Sequence, residues 1–310
     1  MTFVLAILGL VILVVAGDFL VKGAVNLSLR LGIPALIVGL TVVAFGTSAP
    51  ELLVSIDAVR KDVPGIAMGN VVGSNIANIL LVLGLPALIY GFDTSDSHVQ
   101  KHYVTMLLGS VLFIALAFTG TFTVWNALIL LAVLTVILLD QARIGLKQRN
   151  GTSEEDLEGA DPNIGGWRIA LFLALGLIGL PLGANLLIDN ARVIAESFGV
   201  SDAVIGLTLV AVGTSLPELA TTIAAARNKE ADVALGNVLG SNLFNLLAII
   251  GITGLVGDVP VGEQFLRLDL WVMLGASLVL APFIFTHARM TRPVGLAFCA
   301  LYLTYLWIIV

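Results

Sequence analysis

Residues 39–52 read GLTVVAFGTSAPEL and residues 206–219 read GLTLVAVGTSLPEL. Residues 69–78, GNVVGSNIAN, are answered by residues 236–245, GNVLGSNLFN, at the same offset of 167 residues. Chance likeness between two apolar helices would match Leu with Val. It would not bring Thr, Ser, Pro, Glu, Gly and Asn into register twice, so the chain reads as two homologous halves, 1–141 and 166–310, joined by 142–165.

Around these motifs the sequence is apolar, with 58% hydrophobic residues, 12% charged ones and a mean hydropathy of +1.06. Soluble domains carry about 25% charged residues. So little charge cannot cover a water-facing surface, and the exterior is expected to face lipid. Apolar runs near 3–27, 34–59, 65–90, 103–119, 124–140, 167–191, 201–226, 232–256, 268–286 and 293–310 predict an all-α polytopic membrane protein of ten transmembrane helices. The runs lack the alternating period of barrel strands. The first has neither a basic n-region nor a small-x-small cleavage pattern and is expected to stay as a span. Cys299 stands alone, which excludes an intrachain disulfide. The net charge of −6 is scattered, and its one cluster, Glu154, Glu155, Asp156 and Glu158, reads as a solvated loop.

Charge sets the expected orientation. Lys22, Arg30, Lys101, Arg143, Lys147, Arg149, Arg168, Arg227, Lys229, Arg289 and Arg292 fall on one side of such a topology, against Arg60, Lys61, Arg192 and Arg267 on the other. By the positive-inside rule 142–165 is cytoplasmic and both termini are outside. Five spans per half is an odd number, so the second half enters from the opposite face and the repeats are inverted, an architecture of many secondary transporters.

Glu51 and Glu218 lie mid-run in spans 2 and 7, where a carboxylate is costly unless it faces a partner or a cavity. Thr47, Ser48, Thr214 and Ser215 stand one turn earlier, on the same face. Pro50 and Pro217 remove a helical hydrogen bond, so helices 2 and 7 are expected to be interrupted there. Gly46 and Gly213 let the backbone bend, and the opened turn is expected to free the carbonyls of Ala44 and Ala211. Spans 3 and 8 add Asn78 and Asn245, with Ser74 and Ser241 at i−4. Of Asn70, Asn75, Asn237 and Asn242, some are expected to satisfy opened backbone between helices. Gly69, Gly73, Gly236 and Gly240 have the small-xxx-small spacing of closely packed helices.

A set made only of oxygens suits hard cations, and calcium takes six to eight of them in irregular geometry. His98, His102 and His287 form no cluster with Cys299. Two glutamates compensate one calcium or two sodium ions, and a third sodium would make exchange electrogenic. Asp18, Asp57, Asp140, Asp189 and Asp269 lie toward span ends, where water contact is cheap. No nucleotide-binding loop is present, so ATP-driven pumping by this chain is not expected. Neither an enzyme activity, a cofactor nor a nucleic-acid partner is called for, and a monomer would suffice.

The duplicated GTSAPE (46–51) and GTSLPE (213–218), each followed by a GNxxGSNxxN segment, resemble the cation/calcium antiporter superfamily and within it the prokaryotic sodium/calcium exchangers. The resemblance covers essentially the whole chain. It implies a ten-helix fold in a cytoplasmic membrane, with helices 2, 3, 7 and 8 around the ions and long helices 1 and 6 sliding during alternating access. It implies a calcium site centred on Glu51 and Glu218 with carbonyl help from Thr47 and Thr214. It implies sodium sites that add Ala44, Ser48, Ser74, Ala211, Ser215 and Ser241, with Asn78 and Asn245 between them. Some exchangers carry an aspartate at one of the two asparagines; here both are amides. The implied activity is sodium/calcium antiport. A calcium/proton antiporter on the same scaffold is the rival, which the hydroxyls at 47–48 and 214–215 disfavour because a proton needs only the carboxylate. A passive channel would need a continuous pore.

Overall fold

The computed structural model describes residues 2–91, 99–147, 164–198, 213–286 and 288–309. The helices are α1 (Thr2–Leu31), α2 (Ala35–Thr47), α3 (Ala49–Arg60), α4 (Gly65–Ile89), α5 (Val99–Ala117), α6 (Val124–Lys147), α7 (Gly166–Ser197), α8 (Leu216–Arg227), α9 (Ala231–Val256), α10 (Phe265–Phe285) and α11 (Arg292–Ile309). Among the described residues eight helices are long and apolar enough to cross a membrane, and nine when α2 and α3, bent by 42°, are taken as one broken span. The chain is an all-α polytopic membrane protein. Its four tryptophans fit that setting. Trp125, Trp167 and Trp307, at helix ends, are 72%, 67% and 80% exposed, and Trp271 is half exposed near the start of α10. Amphipathic rings at helix ends are what a membrane–water interface selects.

Two apolar clusters divide the interior. The larger joins α4, α5, α6, α9, α10 and α11 through residues such as Leu83, Met106, Phe113, Leu130, Leu246 and Tyr302. The smaller lies beneath α1 and α7, where Leu13, Leu20, Val38, Val43 and Leu180 meet. Helices α1 and α7 run antiparallel, with Gly9 against Leu187 and Gly176 against Leu20; a Cβ on either glycine would fall within 2.7 Å of the facing helix. Without a hydrophobic drive between helices in lipid, such close approach supplies the association. Both helices outrun the expected 3–27 and 167–191. In α1 the polar end stays helical because Asn26 donates to the Lys22 carbonyl at 2.8 Å and Ser28 to the Ile33 carbonyl at 2.5 Å.

Gly236 and Gly240 do admit a neighbour. A Cβ on them would lie 2.7 Å from the Leu36 carbonyl oxygen and 2.5 Å from that of Leu40, so α2 and α9 pack side by side in the same direction. By the offset of 167, Gly69 and Gly73 are the counterparts of Gly236 and Gly240, and the residues equivalent to the facing Leu36, Leu40 and Ala44 are 203, 207 and 211, which lie outside the described residues. Strands β1 (Thr121–Phe122) and β2 (Val259–Pro260) pair antiparallel and tie the α5–α6 connection to the α9–α10 connection. Helix α6 continues through Lys147, so the expected loop from 142 begins as helix.

Candidate functional site

The break between α2 and α3 falls at Ser48, with φ −83° and ψ 2°, and Ser215 before α8 repeats it with φ −86° and ψ 5°. Pro50 and Pro217 sit in the first turn of the helices that follow. Having no N–H, each deprives the carbonyl four residues earlier of its helical donor. Glu51 and Glu218 occupy those same first turns. The partial positive charge of each helix N-terminus thus lies beside a carboxylate and offsets part of the cost of burying it.

Both acids are completely buried, at 0% exposure. Ser48 donates to Glu218 Oε1 at 3.2 Å and Ser241 to the same oxygen at 3.5 Å. Thr47 Oγ1 lies 3.4 Å from Ser241 Oγ, and in the other half Ser74 Oγ lies 3.5 Å from Thr214 Oγ1. Asn78 donates to Asn242 Oδ1 at 3.0 Å. Among the described residues, both carboxylate oxygens of Glu51, Glu218 Oε2, Ser215 Oγ, Asn78 Oδ1 and both amide atoms of Asn245 are buried without a protein hydrogen-bond partner. Buried acceptors are ordinarily satisfied. Acceptor oxygens left over beside two carboxylates suit a cation that completes them.

The helices therefore bring together Thr47, Ser48, Glu218 and Ser241 in direct contact, and Ser74 with Thr214, while Glu51, Asn78, Ser215 and Asn245 supply buried groups. Ala211 lies outside the described residues. The Ala44 carbonyl is not freed as expected. It accepts the Ser48 N–H at 3.0 Å and the Thr47 hydroxyl at 3.3 Å, because the helix opens only after Ser48 has made its backward bond.

The π turns went unforeseen, whereas bracing of backbone by some of the motif asparagines was expected. The helices turn π at Asn78–Val82 and at Asn245–Ile249, each starting on a site asparagine. Such bulges gather at functional sites. Asn70 and Asn237 take the bracing role. Asn70 donates to the Glu51 carbonyl at 3.0 Å and to Ser55 Oγ at 3.1 Å; Asn237 donates to the Glu218 carbonyl at 3.3 Å and to Thr222 Oγ1 at 3.1 Å.

The remaining acids have other duties. Asp57 pairs with Lys61 at 2.6 Å, Asp140 with Lys101 at 2.7 Å and Asp18 with Arg227. Asp269, expected near water, is only 3% exposed and accepts a hydrogen bond from Tyr305 at 3.1 Å. Among the described residues no three His, Cys, Asp or Glu side chains gather to hold a metal. Two carboxylates with neutral oxygens hold a hard cation less firmly than an acidic cage would, which suits an ion that must leave again.

Fold and site are those of an ion-exchanging membrane transporter, not an enzyme. A family model described as "Sodium/calcium exchanger protein" matches residues 1–141 and 168–310. The chain belongs to the sodium/calcium exchanger family. It is 35% identical to the sodium/calcium exchanger MaX1 of Methanosarcina acetivorans, over 98% of this chain and 97% of that protein. It is 38% identical to the inner membrane protein YrbG of Escherichia coli, over 89% and 86%. A solved structure of the sodium-calcium exchanger NCX_Mj, soaked with zero Na+ and Ca2+, superposes with a TM-score of 0.85 at 32% identity, covering 100% of this chain and 99% of that one.

Proposed function

We propose that Glu51 and Glu218 form one shared cation site, at which calcium and sodium exclude each other, and that this exclusion couples the two fluxes. The chain is a secondary active sodium/calcium antiporter of a multi-pass membrane, working by alternating access. The observation that carries the site assignment is the pair of fully buried glutamates, three of whose four carboxylate oxygens have no partner among the described residues. Thr47, Ser48, Ser74, Asn78, Thr214, Ser215, Ser241 and Asn245 complete the oxygen set, to which the family resemblance adds Ala44 and Ala211. One calcium or two sodium ions neutralise the two acids. Carrying the bare acids through apolar surroundings is costly, so the loaded site is the one that changes sides.

The reading includes ten spans in two inverted halves, 1–141 and 166–310, with 142–165 in the cytoplasm and both termini outside. Three features support it. The pairing of β1 with β2 puts residues 121–122 and 259–260 on one face, which requires an even number of crossings between them. With α6, α7 and α9 each crossing, the α8 segment supplies the fourth. Second, α1 and α7 are equivalents by the offset of 167 yet pack antiparallel, as a two-fold axis lying in the membrane plane demands. Third, the two stretches matched by the family model fall on either side of the central connection.

The test is uptake of radiolabelled calcium into proteoliposomes loaded with sodium and diluted into sodium-free buffer. A pH-gradient arm without sodium and a Glu218→Gln control run in parallel. Uptake that requires the sodium gradient and vanishes in the variant is expected. Uptake driven equally by the pH gradient would replace sodium with protons on the same acids.

A further inference from the structure

The two halves are alike in sequence but not in the hydrogen bonds they exchange. Around the two glutamates three side-chain bonds run from the first half to the second: Ser48 to Glu218 Oε1 at 3.2 Å, Thr47 to Asn237 Oδ1 at 3.2 Å, and Asn78 to Asn242 Oδ1 at 3.0 Å. The offset of 167 converts these into Ser215 to Glu51, Thr214 to Asn70, and Asn245 to Asn75. None of those is made among the described residues. Ser215 Oγ, both Glu51 carboxylate oxygens, Asn245 Nδ2 and Asn75 Oδ1 are all buried and unpartnered, while Thr214 is engaged with Ser74. A fourth contact follows suit. Asn242 Nδ2 reaches the Asn75 carbonyl at 3.3 Å, whereas Asn75 turns its own amide back to Val71 at 2.7 Å.

The imbalance is selective. Bonds that brace each half internally are made in both, namely Asn70 to the Glu51 carbonyl and Asn237 to the Glu218 carbonyl. The hydroxyl contacts Thr47–Ser241 and Ser74–Thr214 are likewise made in both. The directional bonds between halves are one-sided, and so is the bond of Ser241 to Glu218 within the second half, whose counterpart, Ser74 to Glu51, is not made.

In a pair of inverted repeats, exchanging the conformations of the halves regenerates the same molecule turned over, so that its site opens to the other face. Resting on the inverted-repeat exchanger reading above, we infer that the halves trade these bonds on every half-cycle. In the opposite-facing state Ser215, Thr214 and Asn245 donate to Glu51, Asn70 and Asn75, and their counterparts release. The two glutamates then alternate in duty. In the state seen here Glu51 keeps both oxygens for the ion while Glu218 lends one to two serine hydroxyls; in the other state the roles reverse. Asn242 and Asn75 are the positioning residues of the exchange. The first accepts Asn78 in this state, and the second accepts Asn245 in the other.

The two asparagines provide the test. Asn242→Ala removes an acceptor used in the present state, and Asn75→Ala one used in the opposite state. A state that loses a bond loses population, and affinity at the face it serves falls with it. In vesicles of defined orientation, the ratio of the calcium KM values at the two faces is expected to shift by about two- to tenfold in each variant. The shifts should have opposite sign, and the double variant should return toward the original ratio. Shifts of the same sign, or none, overturn the inference, since a merely structural role would treat both faces alike. A structure of Asn242→Ala provides a second reading that needs no transport. It should place Asn245 Nδ2 within hydrogen-bond distance of Asn75 Oδ1, and the unchanged one-sided pattern would overturn the exchange. Absence of sodium-driven calcium uptake in the unaltered protein would instead count against the exchanger reading.

Discussion

Asn237 reaches from α9 to the main-chain carbonyl of Glu218, 3.3 Å away, and fixes the first turn of α8 where the acid stands. Its amide also meets Thr222 Oγ1 at 3.1 Å, and its oxygen accepts Thr47 at 3.2 Å, so one side chain braces one acid and a hydroxyl of the opposite half. Asn237→Ala leaves these buried groups unpaired, at a cost of about 1–3 kcal/mol. The calcium KM is expected to rise about tenfold, equivalent to about 1.4 kcal/mol, with a smaller fall in the saturated rate. Asn70→Ala should act in the same direction through Glu51. An unchanged KM in folded protein would remove both from the positioning machinery.

Glu51→Gln and Glu218→Gln keep the shape of the site and remove one charge each. A divalent ion held by a single carboxylate at 0% exposure keeps an uncompensated charge in an apolar surround. Sodium-dependent calcium uptake is expected to fall on the order of a hundredfold in either variant, as charge count dominates calcium affinity. Gel filtration in detergent checks that the variants stay folded. Exchange retained to within a few-fold in one of them would confine the shared site to the other acid.

Much of this was legible in the sequence. The lipid-facing exterior followed from the scarcity of charge, and the break at Ser48 from Pro50 beside Gly46. Other parts were not. Asn70, Asn78, Asn237 and Asn245 are the same residue type in the same motif, and only the facing helix distinguishes a brace from a lining group. The π turns at Asn78 and Asn245 leave no composition signal, because an inserted residue depends on packing rather than on propensity. Asp269 looked accessible by its place near a span end; Tyr305, from another helix, is what satisfies it in the interior.

Gly240 tests the packing of α9 on α2. A Cβ there would lie 2.5 Å from the Leu40 carbonyl oxygen and 2.6 Å from Ala44 Cβ, and the backbone atom cannot step aside cheaply. Gly240→Ala is expected to destabilise the protein by about 1–3 kcal/mol, the usual cost of overpacking. Thermal unfolding in detergent would register this as a lower midpoint. Gly275→Ala is the control, because a Cβ at Gly275 meets nothing within 4 Å among the described residues. Its midpoint should stay or rise slightly, given the helix propensity gained. Equal effects at the two glycines would mean that the α2–α9 contact is looser than its geometry.

Asp269 and Tyr305 allow stability to be separated from transport. The aspartate is buried at the start of α10, and the phenol of α11 donates a hydrogen bond to it at 3.1 Å. Among the described residues, neither side chain hydrogen-bonds to Glu51, Glu218 or the hydroxyls around them. Tyr305→Phe preserves the ring and deletes the donor, leaving a buried carboxyl without that bond at a cost of about 1–3 kcal/mol. The unfolding midpoint should fall, and the calcium KM should stay within about twofold, a change smaller than one ordinary hydrogen bond is worth. Tyr305→Phe and Asp269→Asn combined should recover part of the loss, since an amide tolerates burial better than a carboxylate deprived of its donor. A changed KM with an unchanged midpoint would mean that this pair communicates with the ion site, and that the α10–α11 contact moves during the cycle.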